Sequence, residues 1–249
     1  YEIPLRLVGS EMCIRDSSKE EAASLIQSSI ALVQDARDEY LSSHEEENRP
    51  APLTAASVGP YGAYLADGSE YRGDYGKTRE ELADFHRERI HILAEAGPDV
   101  FACETIPCLV EALAETDVLS EIPGAEAWIS FSCKDGLHTC GGDLISDCAK
   151  ALKDIKEVAA IGINCTAPQY VESLIKEIVK VTDKPVVVYP NSGEDYDAGS
   201  KSWEGSAAKY EDYVKIWYEA GARLIGGCCR TGPEDIRKVA AFRKSLIEK

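Results

Sequence analysis

The sequence lacks any long apolar run and is poor in basic side chains. No stretch of about 18 consecutive apolar residues occurs, so no transmembrane helix is predicted. The chain has 27 lysine and arginine residues against 44 aspartate and glutamate residues, which gives a formal net charge of −17. This balance argues against a nucleic acid or an anionic membrane as a partner, because either would require a basic surface.

Cysteine is too sparse for a disulfide-stabilised scaffold. The 249 residues include nine cysteines, an odd number, and Cys228 and Cys229 are adjacent. Because a disulfide between adjacent cysteines would be badly strained, these thiols are expected to stay reduced. Free thiols that serve packing or metal binding are typical of a reducing compartment, so a cytoplasmic location is predicted.

The first 17 residues differ from the rest of the chain. They show neither helical nor strand periodicity, and they lack the basic start and apolar centre of a signal peptide. We expect residues 1–17 to be a foreign or artefactual segment, with a disordered native tail as the alternative. Residues 18–249 are expected to form one domain, since this length suffices for an α/β barrel.

From residue 18 onward, helical patterns alternate with short apolar runs. The predicted strands are apolar on both faces, as in a parallel sheet, and cover residues 53–58, 99–103, 127–132, 160–164, 185–189 and 223–226. The predicted helices cover residues 18–42, 77–97, 107–120, 143–157, 168–182, 206–220 and 232–247. This alternation predicts βαβ units and a parallel α/β barrel in which six strands are visible.

Two predicted helix starts place the cysteine motifs. Thr166 and Thr231 are each followed, three positions later, by a side chain that can complete a capping box. Cys165 would then lie in a strand-to-helix loop, and so would Cys228 and Cys229. In a parallel barrel all such loops open on the same face, where active sites lie. Cysteines far apart in sequence can therefore meet at one point.

Cys165, Cys228 and Cys229 are the strongest candidates for a metal site. Thiolates suit Zn²⁺, and the neighbouring glycines let the backbone bend so that adjacent cysteines face one ion. Three ligands leave one position open, as in a catalytic zinc site, whereas a structural site uses four protein ligands. A single cysteine would more simply fill the core, but this adjacent pair with a third cysteine in an equivalent loop favours zinc.

Five motifs, in this order along the chain, resemble the homocysteine S-methyltransferase family. They are Gly-Pro-Tyr-Gly-Ala (59–63), Glu-Thr-Ile-Pro (104–107), Gly-Ile-Asn-Cys-Thr-Ala-Pro (162–168), Tyr-Pro-Asn-Ser-Gly-Glu (189–194) and Gly-Gly-Cys-Cys-Arg-Thr-Gly-Pro (226–233). The resemblance covers residues 18–249 and implies a (β/α)8 TIM barrel of the homocysteine-binding type. It also implies that Cys165, Cys228 and Cys229 hold the zinc ion.

The resemblance implies an enzyme that methylates homocysteine to give methionine. The branch with the 59–63 motif looks cobalamin-independent and takes the methyl group from a sulfonium, S-methylmethionine or S-adenosylmethionine. Coordination to zinc deprotonates a thiol, so no side chain is expected to act as a catalytic acid or base. The four histidines, at positions 44, 86, 91 and 138, are accordingly interpreted as surface or packing residues.

Two residues are expected to bind substrate. The resemblance implies that Glu104 contacts the amino group of homocysteine, and its place after an apolar run agrees with a ligand-facing position at a strand end. A solvated loop carboxylate is the alternative. Asn191, directly after Pro190, either hydrogen-bonds a substrate or holds a turn.

The sequence departs from the family pattern at its beginning. Family members begin with a strand carrying Asp-Gly-Gly, a helix and a second strand, and neither strand is visible here. We therefore expect an N-terminally truncated barrel of six βα units. Two other functions fit the sequence: a methyltransferase of the same superfamily that uses betaine or a methyl-corrinoid, and a non-catalytic zinc-binding or redox-sensing protein that uses Cys228 and Cys229.

Overall fold

A computed structural model describes residues 18–44, 50–65, 67–197 and 202–247 of the chain. The interpretation of residues 1–17 as a foreign segment lies outside the described residues. None of the described helices is long and apolar enough to cross a lipid bilayer.

Six parallel strands form one sheet in the order β1-β2-β3-β4-β5-β8. The strands are β1 (Ala55–Val58), β2 (Val100–Ile106), β3 (Ala127–Phe131), β4 (Val158–Asn164), β5 (Val186–Tyr189) and β8 (Ala222–Ile225). All six predicted strands are confirmed, and every neighbouring pair is parallel. Within the described residues, β1 and β8 are the two edges of the sheet.

Helices precede and follow these strands, as the alternating pattern predicts. They are α1 (Lys19–Ser43), the short α2 (Tyr61–Leu65), α3 (Arg79–Glu95), α4 (Leu109–Leu119), α5 (Ile145–Leu152), α6 (Pro168–Val179), α7 (Tyr210–Ala220) and α8 (Pro233–Ile247). All seven predicted helices are confirmed, most of them shorter than predicted. The chain therefore has the predicted α/β fold with six βα units.

The core lies against the sheet, whose central strands are buried on both faces. In β4, Ile161 and Ile163 have no exposed surface, and neither do Ile129 and Phe131 of β3. The helices bury their apolar faces against these strands, except that no residue of α8 is buried. Gly162 of β4 has a steric role, because a Cβ there would lie 1.7 Å from the carbonyl oxygen of Val187 in β5.

Short elements between β1 and α3 and between β5 and α7 were not predicted. Helix α2 and a 3₁₀ turn (Ser69–Tyr71) follow β1, and an antiparallel pair, β6 (Asp195–Asp197) and β7 (Ser202–Glu204), follows β5. Elements of three to five residues are too short for periodicity to reveal. Helix α2 packs so tightly on the 3₁₀ turn that a Cβ at Gly62 would lie 2.3 Å from the Glu70 nitrogen.

A buried polar network joins α3 and α4 to the turn after β1. Arg89 Nη2 lies 2.7 Å from His86 Nδ1, and His86 Nε2 lies 2.9 Å from Glu111 Oε1. A guanidinium only donates, so His86 Nδ1 accepts and Nε2 carries the proton. Arg89 also donates to the Gly59 carbonyl at 2.7 Å, and Glu111 accepts from the Tyr61 nitrogen at 2.5 Å. These side chains therefore hold the turn that carries the 59–63 motif.

Candidate metal centre

The three cysteines predicted as ligands come together at the carboxyl ends of β4 and β8. Cys165 directly follows β4, and Cys228 and Cys229 lie just beyond the end of β8. Cys165 Sγ lies 2.9 Å from Cys228 Sγ and 3.9 Å from Cys229 Sγ, and the last two sulfurs are 4.0 Å apart. Over the described ranges, this is the one group of three or more Cys, His, Asp or Glu side chains arranged to hold a metal ion.

The donor set fits a tetrahedral ion with one open position. Zinc–sulfur bonds of about 2.3 Å place two tetrahedral thiolates about 3.8 Å apart. Two of the three sulfur separations, 3.9 and 4.0 Å, are close to this value, whereas the Cys165–Cys228 separation of 2.9 Å is shorter. All three cysteines are half-buried, so a further ligand can approach them from solvent.

The three thiols differ in acidity. Hydrogen bonds from Cys165 and then from Cys228 lower the pKa of Cys229 to about 3. The pKa of Cys165 is raised, first by its hydrogen bonds with Cys228 and Cys229 and then by burial. A lowered pKa favours the thiolate of Cys229, which is the form of cysteine that binds metal cations.

Hydroxyl groups hold both cysteine loops, but not as helix caps. Thr166 Oγ1 accepts from the Cys133 nitrogen at 3.0 Å and donates to the Asn164 carbonyl at 2.8 Å. Thr231 Oγ1 donates to the Cys228 carbonyl at 2.7 Å. The capping boxes predicted at both threonines are therefore wrong, because each hydroxyl is engaged by the loop itself. The predicted placement of the cysteines in strand-to-helix loops is correct.

Backbone strain is concentrated around the cysteines. Among the described non-glycine residues, positive φ angles occur at Thr105 (63°), Cys165 (46°) and Arg230 (66°). Thr105 lies near the carboxyl end of β2, Cys165 directly follows β4, and Arg230 directly follows Cys229. Two of the three therefore belong to the cysteine cluster or adjoin it. Residues held in this region cost free energy and persist where the surrounding structure fixes them, often at functional sites.

Arg230 and Glu194 join the two loops that surround Cys229. Arg230 donates from Nε and Nη2 to the two carboxylate oxygens of Glu194, both at 3.1 Å. These hydrogen bonds, followed by one from Ser192, lower the pKa of Glu194. The Ser192 nitrogen also donates to the Cys229 carbonyl at 3.0 Å. No sequence argument singled out this pair, although both residues belong to the recognised motifs.

Glu104 lies inside β2, because this strand continues to Ile106 beyond its predicted end at residue 103. Ser57 Oγ of β1 donates to Glu104 Oε1 at 2.6 Å. Tyr189 of β5 also interacts with this carboxylate: burial, and then the charge of Glu104, raise the pKa of Tyr189 well above its usual value. Since β5 is three strands away from β2 in the sheet, the sheet must curve around the Glu104 side chain.

A chain of hydrogen bonds connects Tyr189 with the strand that leads to Cys165. Trp128 Nε1 donates to the Tyr189 hydroxyl at 2.9 Å, and this hydroxyl also meets Ser130 Oγ. Ser130 Oγ donates to Asn164 Oδ1 at 2.9 Å. Asn164 Oδ1 accepts from the Thr105 nitrogen at 2.7 Å, and Asn164 Nδ2 donates to Thr105 Oγ1 at 2.8 Å. The sequence analysis missed these residues, although polar side chains inside apolar runs were a signal for them.

Asn191 combines features of both predicted roles. Its backbone nitrogen donates to the Thr166 carbonyl at 3.1 Å, which holds the turn after β5. Its side-chain Oδ1 is buried and has no hydrogen-bond partner in the described part of the chain. A buried acceptor without a partner is costly, so this oxygen is suited to a donor group of a ligand.

The loop after β1 reaches the cysteine cluster through Tyr71 of the 3₁₀ turn. The pKa of Tyr71 is raised by partial burial and then by its electrostatic interaction with Cys165 and Cys229. No sequence pattern pointed to this residue. The loop therefore forms one wall beside the three thiols.

Comparisons with known proteins agree with this geometry. A family model described as homocysteine S-methyltransferase matches residues 10–242. Homocysteine S-methyltransferase YbgG of Bacillus subtilis (strain 168) is 54% identical over 93% of this chain and 75% of its own length. Homocysteine S-methyltransferase 3 of Zea mays is 47% identical over 89% of this chain and 69% of its own. The crystal structure of the metallated homocysteine methyltransferase MmuM from Escherichia coli matches with a TM-score of 0.82 at 39% identity, over 94% of this chain and 75% of that one.

Proposed function

The chain belongs to the homocysteine S-methyltransferase family, and on this premise we propose that it transfers a methyl group from S-methylmethionine or S-adenosylmethionine to the sulfur of homocysteine. The product is methionine. The observation that carries the proposal is the convergence of the Cys165, Cys228 and Cys229 thiols at the carboxyl edge of the sheet. We assign the activity to residues 18–249 as a homocysteine-binding domain of the (β/α)8 TIM-barrel class.

Zinc is the metal of this proposal, with Cys165, Cys228 and Cys229 as its ligands. The Escherichia coli relative is described as metallated, and a soft set of three thiolates suits Zn²⁺. When bound, zinc lowers the pKa of a coordinating thiol, so the homocysteine sulfur is a thiolate at neutral pH. The chain itself provides the thiolate cluster, the loops that fix it and a half-buried position for a fourth ligand.

Glu104 and Asn191 bind the amino-acid part of the substrate in this proposal. The Glu104 carboxylate, oriented by Ser57 Oγ at 2.6 Å, accepts a charge-assisted hydrogen bond from the homocysteine ammonium group. The buried Oδ1 of Asn191 accepts from a donor group of the substrate. Neither residue transfers a proton in the reaction.

The transfer step needs no catalytic acid or base. The homocysteine thiolate donates an electron pair to the methyl carbon of the sulfonium donor. The bond between this carbon and the donor sulfur breaks, and its electron pair stays on that sulfur, which becomes a neutral thioether. The residues of the chain therefore act by binding and orientation, which can supply a large part of a rate enhancement.

We also propose a reducing compartment such as the cytoplasm as the place where the protein acts. Eight cysteines in the described residues are free, including the three of the cluster. Oxidation of the cluster would remove the thiolates that bind the metal, so function requires that they stay reduced.

A metal analysis coupled to a methyl-transfer assay tests the proposal. The full chain should contain about one zinc ion and form methionine from homocysteine with at least one sulfonium donor, and Cys228→Ala/Cys229→Ala should lose both properties. Cys140→Ala, which removes a partly exposed cysteine outside the cluster, is the matched control and should retain them. Full zinc content in the double variant would refute the ligand assignment. Methyl transfer from betaine or a methyl-corrinoid alone would refute the assignment of a sulfonium donor. Zinc binding without methyl transfer from any donor would favour a non-catalytic zinc-binding or redox-sensing protein.

A further inference from the structure

Asn164 has a position in the sheet that the proposed function does not use. We propose that its side-chain amide is a positioning group for Glu104, because it holds a bulge in β2 that aims the Glu104 carboxylate at the amino group of homocysteine. Asn164 is thereby a determinant of specificity for thiols that carry an α-amino group. The inference rests on the proposed role of Glu104.

The register between β2 and β3 shifts by one residue after Cys103. Cys103 pairs with Ile129 of β3. The next pair is Ile106 with Phe131, so β2 has two residues in this interval and β3 has one. At one of these two residues, Thr105, the backbone adopts the left-handed conformation with a φ of 63°. The extra residue makes a β-bulge, a feature that can re-aim a side chain beside an active site.

The bulge brings the side chain of Thr105 to the face of the sheet that carries Glu104. In a regular strand neighbouring side chains alternate, so Thr105 would face away from Glu104. Glu104 Oε1 accepts from Ser57 Oγ at 2.6 Å, and Thr105 Oγ1 accepts from Asn164 Nδ2 at 2.8 Å. The register from β1 to β4 puts Ser57 and Asn164 on the same face. Two consecutive residues of β2 therefore share one face.

The Asn164 amide supplies the hydrogen bonds that the bulge lacks. A bulged residue is left unpaired in the ladder, so its backbone N–H needs another acceptor. The Thr105 nitrogen donates to Asn164 Oδ1 at 2.7 Å, in addition to the bond between Nδ2 and the threonine hydroxyl. Asn164 is 1% exposed, so bulk water does not compete for these bonds. An amide two strands away thus fixes the peptide bond that follows Glu104.

Fixing this peptide bond sets the direction in which the Glu104 side chain leaves the backbone. The hydrogen bond to the substrate ammonium depends on the alignment of donor and acceptor. Cys165 directly follows Asn164, so the residue that orients the carboxylate also adjoins one thiol of the cluster. Orientation before binding lowers the entropic cost of recognition. The effect through Glu104 concerns only substrates that carry the ammonium group.

Two thiols distinguish this role from a general loss of stability. Homocysteine has the amino group and 4-sulfanylbutanoate lacks it, so the ratio of their affinities reports recognition of that group. The ratio is measured by calorimetric titration with zinc in excess. Asn164→Ala should lower it roughly three- to tenfold, because a misaligned carboxylate keeps part of a bond whose complete loss costs about ten- to hundredfold. In the Glu104→Gln background, Asn164→Ala should lower the ratio no further.

A milder variant and a matched control accompany this measurement. Thr105→Val removes only the hydroxyl that accepts from Asn164 Nδ2, and it should lower the affinity ratio roughly two- to threefold. Thr116→Val makes the same change at a buried threonine of α4, whose hydroxyl donates to the Leu113 carbonyl at 2.8 Å. This control should leave the ratio unchanged.

A second measurement needs neither zinc nor substrate. In the zinc-free protein, the Thr105 amide should exchange its hydrogen faster in Asn164→Ala relative to the Ser132 amide, which donates to the Ile106 carbonyl at 3.1 Å. Because global destabilisation speeds exchange at both amides, the relative rate reports the local bond to Asn164.

The outcomes separate this inference from the proposed function. An unchanged affinity ratio in Asn164→Ala, or a further fall in the Glu104→Gln background, overturns the inference alone. Equal relative exchange of the Thr105 amide with and without Asn164→Ala overturns it as well, and leaves the proposed function intact. An unchanged ratio in Glu104→Gln overturns the role of Glu104 and this inference with it. If Asn164→Ala does not fold, Thr105→Val decides, and an unchanged ratio there overturns the inference.

Discussion

The buried amide of Asn164 joins three strands, and its removal should weaken the whole carboxyl edge of the sheet. Asn164 is 1% exposed, accepts from the Thr105 nitrogen and from Ser130 Oγ, and donates to Thr105 Oγ1. A hydrogen bond contributes roughly 1 kcal/mol net, and a buried donor left unsatisfied costs about 1–3 kcal/mol. Asn164→Ala removes three hydrogen bonds and leaves two buried donors, the Thr105 nitrogen and Ser130 Oγ, without an acceptor. We therefore expect the free energy of unfolding to fall by about 3–5 kcal/mol. Domains typically have only about 5–15 kcal/mol of stability.

Urea denaturation measures this loss. With a slope of about 3 kcal/mol per molar urea, the midpoint of Asn164→Ala should fall by roughly 1–1.7 M. Asn191→Ala is the matched control, because its Oδ1 has no partner in the described residues, and it should lose less than about 1 kcal/mol. Zinc affinity should also fall in Asn164→Ala, since the strained Cys165 (φ 46°) follows directly. Equal midpoints for the two alanine variants would refute the reasoning.

Three further predictions concern other parts of the site. Glu104→Gln should weaken homocysteine binding roughly ten- to hundredfold by calorimetric titration with zinc content unchanged, and a loss of zinc without a loss of affinity would contradict its role. Because Arg230 lowers the pKa of Glu194 from 4.5, the stabilisation by this pair is complete above pH 4.5 and is lost as the pH falls through the lowered value. Acid denaturation should thus be less steep in Glu194→Gln, and identical profiles would contradict the pairing. Gly162→Ala should yield no folded protein, because its Cβ would lie 1.7 Å from the Val187 carbonyl oxygen; a wild-type circular dichroism spectrum and midpoint would disprove this.

The sequence predicted what depends on periodicity and on chain order. Strands that are buried on both faces, such as Val186–Tyr189, have a pattern that exposed segments do not show, so all six were found. The meeting of Cys165 with Cys228 and Cys229 followed from topology, because the loops after parallel strands share one face. Neither inference required knowledge of a side-chain contact.

What could not be predicted depends on competition between hydrogen-bond partners. A threonine three positions before a glutamine or glutamate is typical of a capping box, yet Thr166 and Thr231 bond within their own loops. The end of β2 was placed three residues too early, because Glu104 and Thr105 are polar residues inside a strand. The partners that explain them, Ser57 and Asn164, lie on other strands, and a linear pattern does not contain that information.

The left-handed backbone at Thr105, Cys165 and Arg230 bears on how such a sequence could be redesigned. Glycine adopts this conformation without steric cost, so selection for foldability alone would favour glycine at all three positions. Each instead carries a side chain that contacts Asn164, belongs to the thiol cluster or pairs with Glu194. Glycine at these positions would relieve the backbone strain, but it would also remove the side chains on which these contacts depend. In an automated redesign of this fold, these are the three positions to exclude from optimisation before any other.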